Sequence, residues 1–266
     1  MMGYGKHISG FWKMMQSSKN KNSIVVVAHK FLTQPDDDLV LFLNGERRQD
    51  VLHIYHSFSD AKDRRSFAVW YKNGEEYRRF DTADYKMFPE PVIYLKEMTF
   101  TFWIIFRTWI KWDAYVGMDG LCVFWGNILR SFGVLRKTIY WAIDFVPERR
   151  FSSGLKNGIY RWINVSGYKR SDEMWDLSPR MAEAREKHLG IKTQDYRFHA
   201  VVPYGLWLDR IRRYSYEECE KNTLVFMGHL IEKQGVQLVI DAIPGIVALV
   251  PDFKFKIIGD GSFKGQ

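Results

Sequence analysis

The chain has 266 residues, 46% hydrophobic and 26% charged, an ordinary globular composition that suffices for one large domain or two smaller ones. A formal net charge of +8 favours anionic partners, yet no basic run has the length or aromatic interleaving of a nucleic-acid platform, so nucleic acid is not expected. Cys122 and Cys219 lie far apart and the 7 histidines show no paired ligand spacing, which predicts reduced thiols, no bound metal and a cytoplasmic location.

Near the start, Lys13, Lys19 and Lys21 interrupt any apolar core, so no signal peptide is expected. Ser23–Ala28 (SIVVVA) then reads as a strand buried on both faces of a parallel sheet. Asp36, Asp37 and Asp38 follow Pro35 and give a helix an acidic first turn. Val51–Ser57 is a second strand, and Asn73-Gly74 between two alternating runs predicts a β-hairpin. The apolar run Met98–Phe106 (MTFTFWIIF), flanked by Lys96, Glu97, Arg107 and Lys111, is about half as long as a membrane span. It predicts a buried helix; the alternative is a helix in a membrane interface, with 98–112 as a peripheral contact on the inner membrane surface.

Alternation then resumes, with strands at Ala114–Met118, Lys137–Phe145, Glu173–Leu177 and Phe198–Val202. Between them lie helices at Gly120–Phe132, near Gly154–Val165, and from Ser178-Pro179 through His188, closed by Gly190. This order argues for a doubly wound parallel sheet over 1–205. The polar stretch 206–222 is the expected linker. A single βαβ follows within 223–266: strand Thr223–Met227, helix Gly235–Leu249, strand Phe253–Ile258.

Chemistry concentrates in that last unit. Gly228 ends a strand, and His229 and Lys233 occupy the loop before a helix whose open N–H groups suit a diphosphate. Lys233 reads equally as a solvated loop lysine. Gly259, Asp260 and Gly261 follow the final strand, either as a close approach to a nucleotide or as a plain turn. Neither a dinucleotide fingerprint nor a P-loop occurs. In the first unit, His29 follows the first strand, Asp119 follows Ala114–Met118, and Asp144 ends the next strand. An aspartate at a strand end is a cap or turn former as well as a candidate catalyst. Glu148, Arg149 and Arg150 come next and could meet an anionic acceptor or solvent.

Gly228-His229, Lys233-Gln234-Gly235, Ile240-Asp241-Ala242 and Ile258-Gly259-Asp260-Gly261 together resemble the donor domain of group-1, retaining glycosyltransferases of GT-B fold. The stretch VVPYGLWLD is similar to the end of that family's acceptor domain, and YWAIDFVPERR and DEMWDLSPRMAEAR resemble a subgroup of it. The likeness runs from Tyr115 to Gly261. It implies an α/β GT-B chain: one Rossmann-like doubly wound sheet plus the first βαβ of a second, truncated one. In the family, an arginine and a lysine of this loop bind the nucleotide diphosphate. Lys233 matches the lysine, whereas His229 stands in the arginine's place. Asp144 matches the aspartate of the family's His-Asp pair, with Ile143 where the histidine would be. The family's acidic motif for sugar and ribose has no counterpart before Gln266, so a fragment inactive by itself is expected.

The resemblance thus implies a metal-independent, retaining hexosyltransferase of polysaccharide biosynthesis. A nucleotide-diphosphate sugar would be the donor and a glycan or lipid-linked saccharide the acceptor. Gly228, His229, Lys233, Gly259, Asp260 and Gly261 would hold the donor, and Asp144 or Asp119 would serve the acceptor hydroxyl. Two further readings are a nucleotide- or glycan-binding module without turnover, and a membrane-surface scaffold.

Overall fold

The computed structural model describes residues 22–30, 35–47, 50–57, 63–85, 87–147, 149–205, 207–208 and 211–265. The chain divides into two compact units, Met1–Gly205 and Leu206–Gln266.

In the first unit, strand β1 (Ser23–Lys30) is buried along almost its whole length. Alternate residues feed two cores. Val25 and Val27 pack with Leu52 and Ile54 against one helical layer, and Ile24, Val26 and Ala28 pack against the other. Each fully buried aliphatic side chain contributes about 1.5–3 kcal/mol, which is why a β-branched run anchors the sheet centre. Helix α1 (Pro35–Arg47) opens on Asp36, Asp37 and Asp38 and carries the chain to β2 (Asp50–Ser57), which pairs in parallel with β1.

The predicted hairpin is β3 (Ser66–Lys72) and β4 (Glu75–Asp81), antiparallel to each other and to β2. Asn73 and Gly74 have φ of 56° and 85°, the two left-handed positions of a two-residue turn that matches strand twist. A Cβ on Gly74 would lie 2.7 Å from the Asn44 carbonyl oxygen, so glycine is required there by space as well.

Helix α2 (Glu90–Arg107) returns the chain to the far side of β1, where β5 (Ala114–Gly117) pairs with it in parallel. Then follow α3 (Gly120–Ser131), β6 (Thr138–Ala142), α4 (Gly154–Arg170), β7 (Glu173–Asp176), α5 (Pro179–Leu189) and β8 (His199–Val201). The strand order is β4-β3-β2-β1-β5-β6-β7-β8, six parallel strands with an antiparallel pair at one edge. This is the doubly wound sheet the alternation predicts.

Three expectations need correction. The strand predicted to reach Phe145 stops at Ala142, because its pairing with β7 ends at Ala142–Asp176. The helix predicted to end near Val165 continues to Arg170, where Gly167 lets it lie against Val123 and Tyr140. The run Met98–Phe106 is not a wholly buried helix. It belongs to the longer α2, which buries Ile93, Phe100, Ile104 and Ile105 but leaves Trp103 48% and Phe106 52% exposed. Among the described residues no helix is long and apolar enough to cross a membrane.

The second unit is one βαβ. Strands β9 (Thr223–Met227) and β10 (Lys254–Ile258) pair in parallel around α6 (Val236–Leu249). Val236 and Leu230 are buried, but Leu224, Val225, Met227, Ile240 and Ile257 are exposed. Few apolar contacts hold this unit, so its backbone should open more readily than the first sheet. Hydrogen exchange is expected to be faster in Leu224–Phe226 than in Ile24–Val27; equal protection would contradict this ranking.

Candidate functional site

β2 and β5 lie on opposite sides of β1, so the winding reverses between β1 and β5. Open α/β sheets bind ligands outside the carboxyl ends of their strands at such a switch point. The structure gathers a buried polar cluster there. His29, which lies within β1 rather than after it, faces His56 of β2 across the parallel register, with ring centroids 5.5 Å apart.

Both nitrogens of His29 meet carboxylates: Nδ1 is 2.8 Å from Asp119 Oδ2, and Nε2 is 3.1 Å from Glu97 Oε2. Burial alone would lower the basicity of this imidazole, but Asp119 and Cys122 outweigh it and raise its pKa well above the ordinary value. A doubly protonated ring donates to both carboxylates. Burial would conversely lift the Asp119 carboxyl, yet the His29 charge and hydrogen bonds hold it well below the usual carboxylate range. Asp119 also caps α3, accepting the Cys122 backbone N–H at Oδ1 over 2.9 Å. It is therefore both a helix cap and an ion-pair partner, and its side chain keeps 28% exposure.

The cluster continues inward. His56 meets the hydroxyls of Ser66 at 2.8 Å and Thr101 at 3.0 Å. Burial, with His29 and Lys96 nearby, pushes its pKa well below the ordinary value, so this ring stays neutral. Lys96 donates to Ser66 Oγ at 2.8 Å and to the Arg64 carbonyl at 2.9 Å, and lies 4.0 Å from Glu97. Two carboxylates thus meet two cations in a buried setting, an arrangement that holds only while each has its partner. His29, Asp119 and Cys122 lie close enough together to hold a metal, as do Asp36, Asp37 and His53. An imidazolium must first lose its proton to ligate. In the second group Asp36 already bonds His53 at 2.6 Å, and Asp37 pairs with Lys30. In both groups the candidate ligand atoms are already engaged by one another or by Lys30.

Asp144 lies two residues past β6. Its side chain is 58% exposed and stands 3.4 Å from Arg150. Arg150 also donates to Tyr160 Oη at 3.1 Å. Burial would lower the Arg150 pKa, but Tyr160 and Asp144, together with Asp119, raise it, so both sequence-predicted aspartates act on one guanidinium. Beside this loop a cavity of about 260 Å³ is lined by Phe145, Arg149, Tyr160, Arg161 and Asn164, among others. Glu148 lies outside the described residues.

In the second unit, the loops after β9 and β10 are stitched together. Gly228 N–H donates to the Ile258 carbonyl at 3.0 Å, and Leu230 N–H to that of Asp260 at 2.9 Å. A Cβ on Gly259 would fall 1.9 Å from the Gly228 oxygen, and one on Gly261 would fall 2.4 Å from that of Leu230. Crowding between the two loops explains both glycines without a ligand. His229 and Lys233 are exposed on this rim, and Lys233 makes no ion pair among the described residues. Gly235, at φ 74°, introduces α6 with no side-chain cap; Leu238 N–H donates to the Gly235 carbonyl at 3.1 Å, and no side chain caps the N–H groups of Val236 and Gln237 ahead of it.

Sequence reasoning singled out His29 and Asp119 but missed Glu97, Lys96, His56 and Cys122. The available signal was a Lys-Glu pair just before the apolar run Met98–Phe106, and a histidine near the end of each of two adjacent strands.

No protein-family model matches the chain, and no curated protein matches it in sequence. Among solved structures, the catalytic domain of starch synthase IV from Arabidopsis thaliana, bound to ADP and acarbose, is similar. The TM-score is 0.53 at 11% identity, over 91% of this chain and 69% of that one. At that identity the likeness is one of fold. The chain therefore has an α/β fold of the GT-B glycosyltransferase type.

Proposed function

We propose that the protein is a glycosyltransferase that moves a sugar from a nucleotide-diphosphate sugar to a hydroxyl of a glycan or lipid-linked saccharide, with retention and without a metal. The observation that carries this reading is the fold shared with a catalytic domain bound to ADP and acarbose.

In this reading the second unit takes the diphosphate. Lys233 and the uncapped start of α6 supply a charge and N–H donors where negative charge develops on the leaving phosphate. His229 adds one hydrogen bond, Gly228 lets the chain turn, and Gly259–Gly261 keep the paired loop low beside it. The first unit takes the acceptor. Asp119 has both oxygens engaged, by Cys122 and His29, which makes it an anchor of the rim rather than a proton acceptor. Asp144, exposed and held by Arg150, is the better partner for an acceptor hydroxyl, next to the cavity lined by Arg149 and Tyr160. Retention rests on the resemblance of the motifs.

The test is release of nucleoside diphosphate by the full-length protein from uridine, guanosine and adenosine diphosphate sugars, with glycan acceptors and a chelator present. Release from one of them, with a product of unchanged anomeric configuration, is expected. Binding without release would leave a nucleotide-binding module, and no response to any donor would overturn the proposal.

A further inference from the structure

At the amino ends of the strands, away from the histidine–carboxylate cluster, α2 ends at Arg107 and the chain turns towards β5 through Thr108, Trp109 and Ile110. Trp109 has φ 53° and is 94% exposed. A bulky residue in the left-handed region costs conformational energy that glycine or asparagine would avoid. Trp103 and Phe106 stand out of α2 nearby, and with Ile110 and Val134 they line an open apolar groove of about 510 Å³.

The charges around this groove are of one sign. Arg107, stacked 5.2 Å from the Trp103 ring, and Lys111 both line it, and neither has a carboxylate partner among the described residues. Asp113 is nearby in sequence but is engaged by Arg136 at 3.3 Å and by Ser23 at 3.0 Å. Ser23 begins β1 at this same edge.

We propose that this patch docks on an anionic lipid surface, with the Trp109, Trp103 and Phe106 rings in the headgroup region and Arg107 and Lys111 on lipid phosphates. Indole rings at an interface beside unpaired cations are the chemistry of a peripheral membrane anchor. Positive charge with no compensating carboxylate selects an anionic surface over a neutral one. The inference stands independently of the glycosyltransferase reading, because it uses none of the residues assigned to donor or acceptor.

The experiment is flotation of the full-length protein with phosphatidylcholine vesicles, with and without phosphatidylglycerol. Binding is expected only to the anionic vesicles and should weaken with added salt. Trp109→Gly should lower binding on the order of tenfold. Its melting temperature should be unchanged or raised, because glycine accepts the left-handed backbone. The double variant Arg107→Gln with Lys111→Gln should lower binding on the order of 30-fold. The proposal is overturned if anionic vesicles do not bind the protein or if both variants bind like the wild type. It is also overturned if the wild type is a dimer in solution that Trp109→Gly dissociates, which would make the patch a protein interface.

Discussion

Asp119→Ala is expected to destabilise the first unit by about 3 kcal/mol, at the low end of what breaking a buried ion pair costs. The low end applies because the Asp119 side chain keeps 28% exposure, so water replaces part of the lost interaction. The substitution removes the α3 cap and one of two carboxylates facing the buried His29 ring. Asp119→Asn retains capping capacity, so it should recover about 1 kcal/mol of the loss. For a unit of this size, the alanine variant should melt roughly 6–12 °C lower.

The pH dependence has a definite sign. His29 has a raised pKa in the folded protein, so its stabilising contribution is complete below its ordinary value of 6.5 and is lost as pH rises through the folded value. His56 has a lowered one, so stability falls as pH drops below 6.5 and the unfolded chain takes up a proton that the buried ring refuses. Urea unfolding followed from acid to alkaline pH should therefore show losses on both sides. In Asp119→Asn the alkaline loss should flatten, because the group that raises His29 most is no longer charged. An unchanged alkaline limb would assign that loss to other groups.

Much of the scaffold was legible because local rules decide it. The β-branched run Ser23–Ala28, the Asn73-Gly74 turn and the glycine that closes α5 at φ 67° each contain their own physical reason. The buried cluster was not legible in the same way. Lys96 and Glu97 look like the polar flank of an apolar stretch, and only the return of α2 over the sheet turns that flank inward. Likewise, His29 and His56 become neighbours through strand register, a tertiary fact. In Met98–Phe106 nearly every residue is apolar, so periodicity could not tell that Trp103 and Phe106 would face outward. Gly259 and Gly261 read from the sequence either as a close approach to a nucleotide or as a plain turn, because the crowding by Gly228 and Leu230 that requires them comes from the pairing of two loops.

Lys233→Ala is expected to weaken nucleoside-diphosphate binding by about 1.5–3 kcal/mol, the worth of one charge-assisted hydrogen bond. Lys233 suits this test because it is exposed and has no ion pair among the described residues, so its removal should leave folding unchanged. His229→Ala should cost less, about 0.5–1.5 kcal/mol, as expected for a single hydrogen bond. Both losses should appear with the nucleoside diphosphate alone, because the contacts assigned to this loop are to phosphate and not to sugar.

The most direct measurement is calorimetric titration of the full-length protein with uridine, guanosine and adenosine diphosphates, repeated on Lys233→Ala. The account predicts saturable binding of at least one of the three and a loss on the order of tenfold or more in the variant, equivalent to about 1.4 kcal/mol per tenfold. Binding of equal strength in wild type and variant would place the phosphate elsewhere, and no binding of any of the three would contradict a nucleotide-sugar donor.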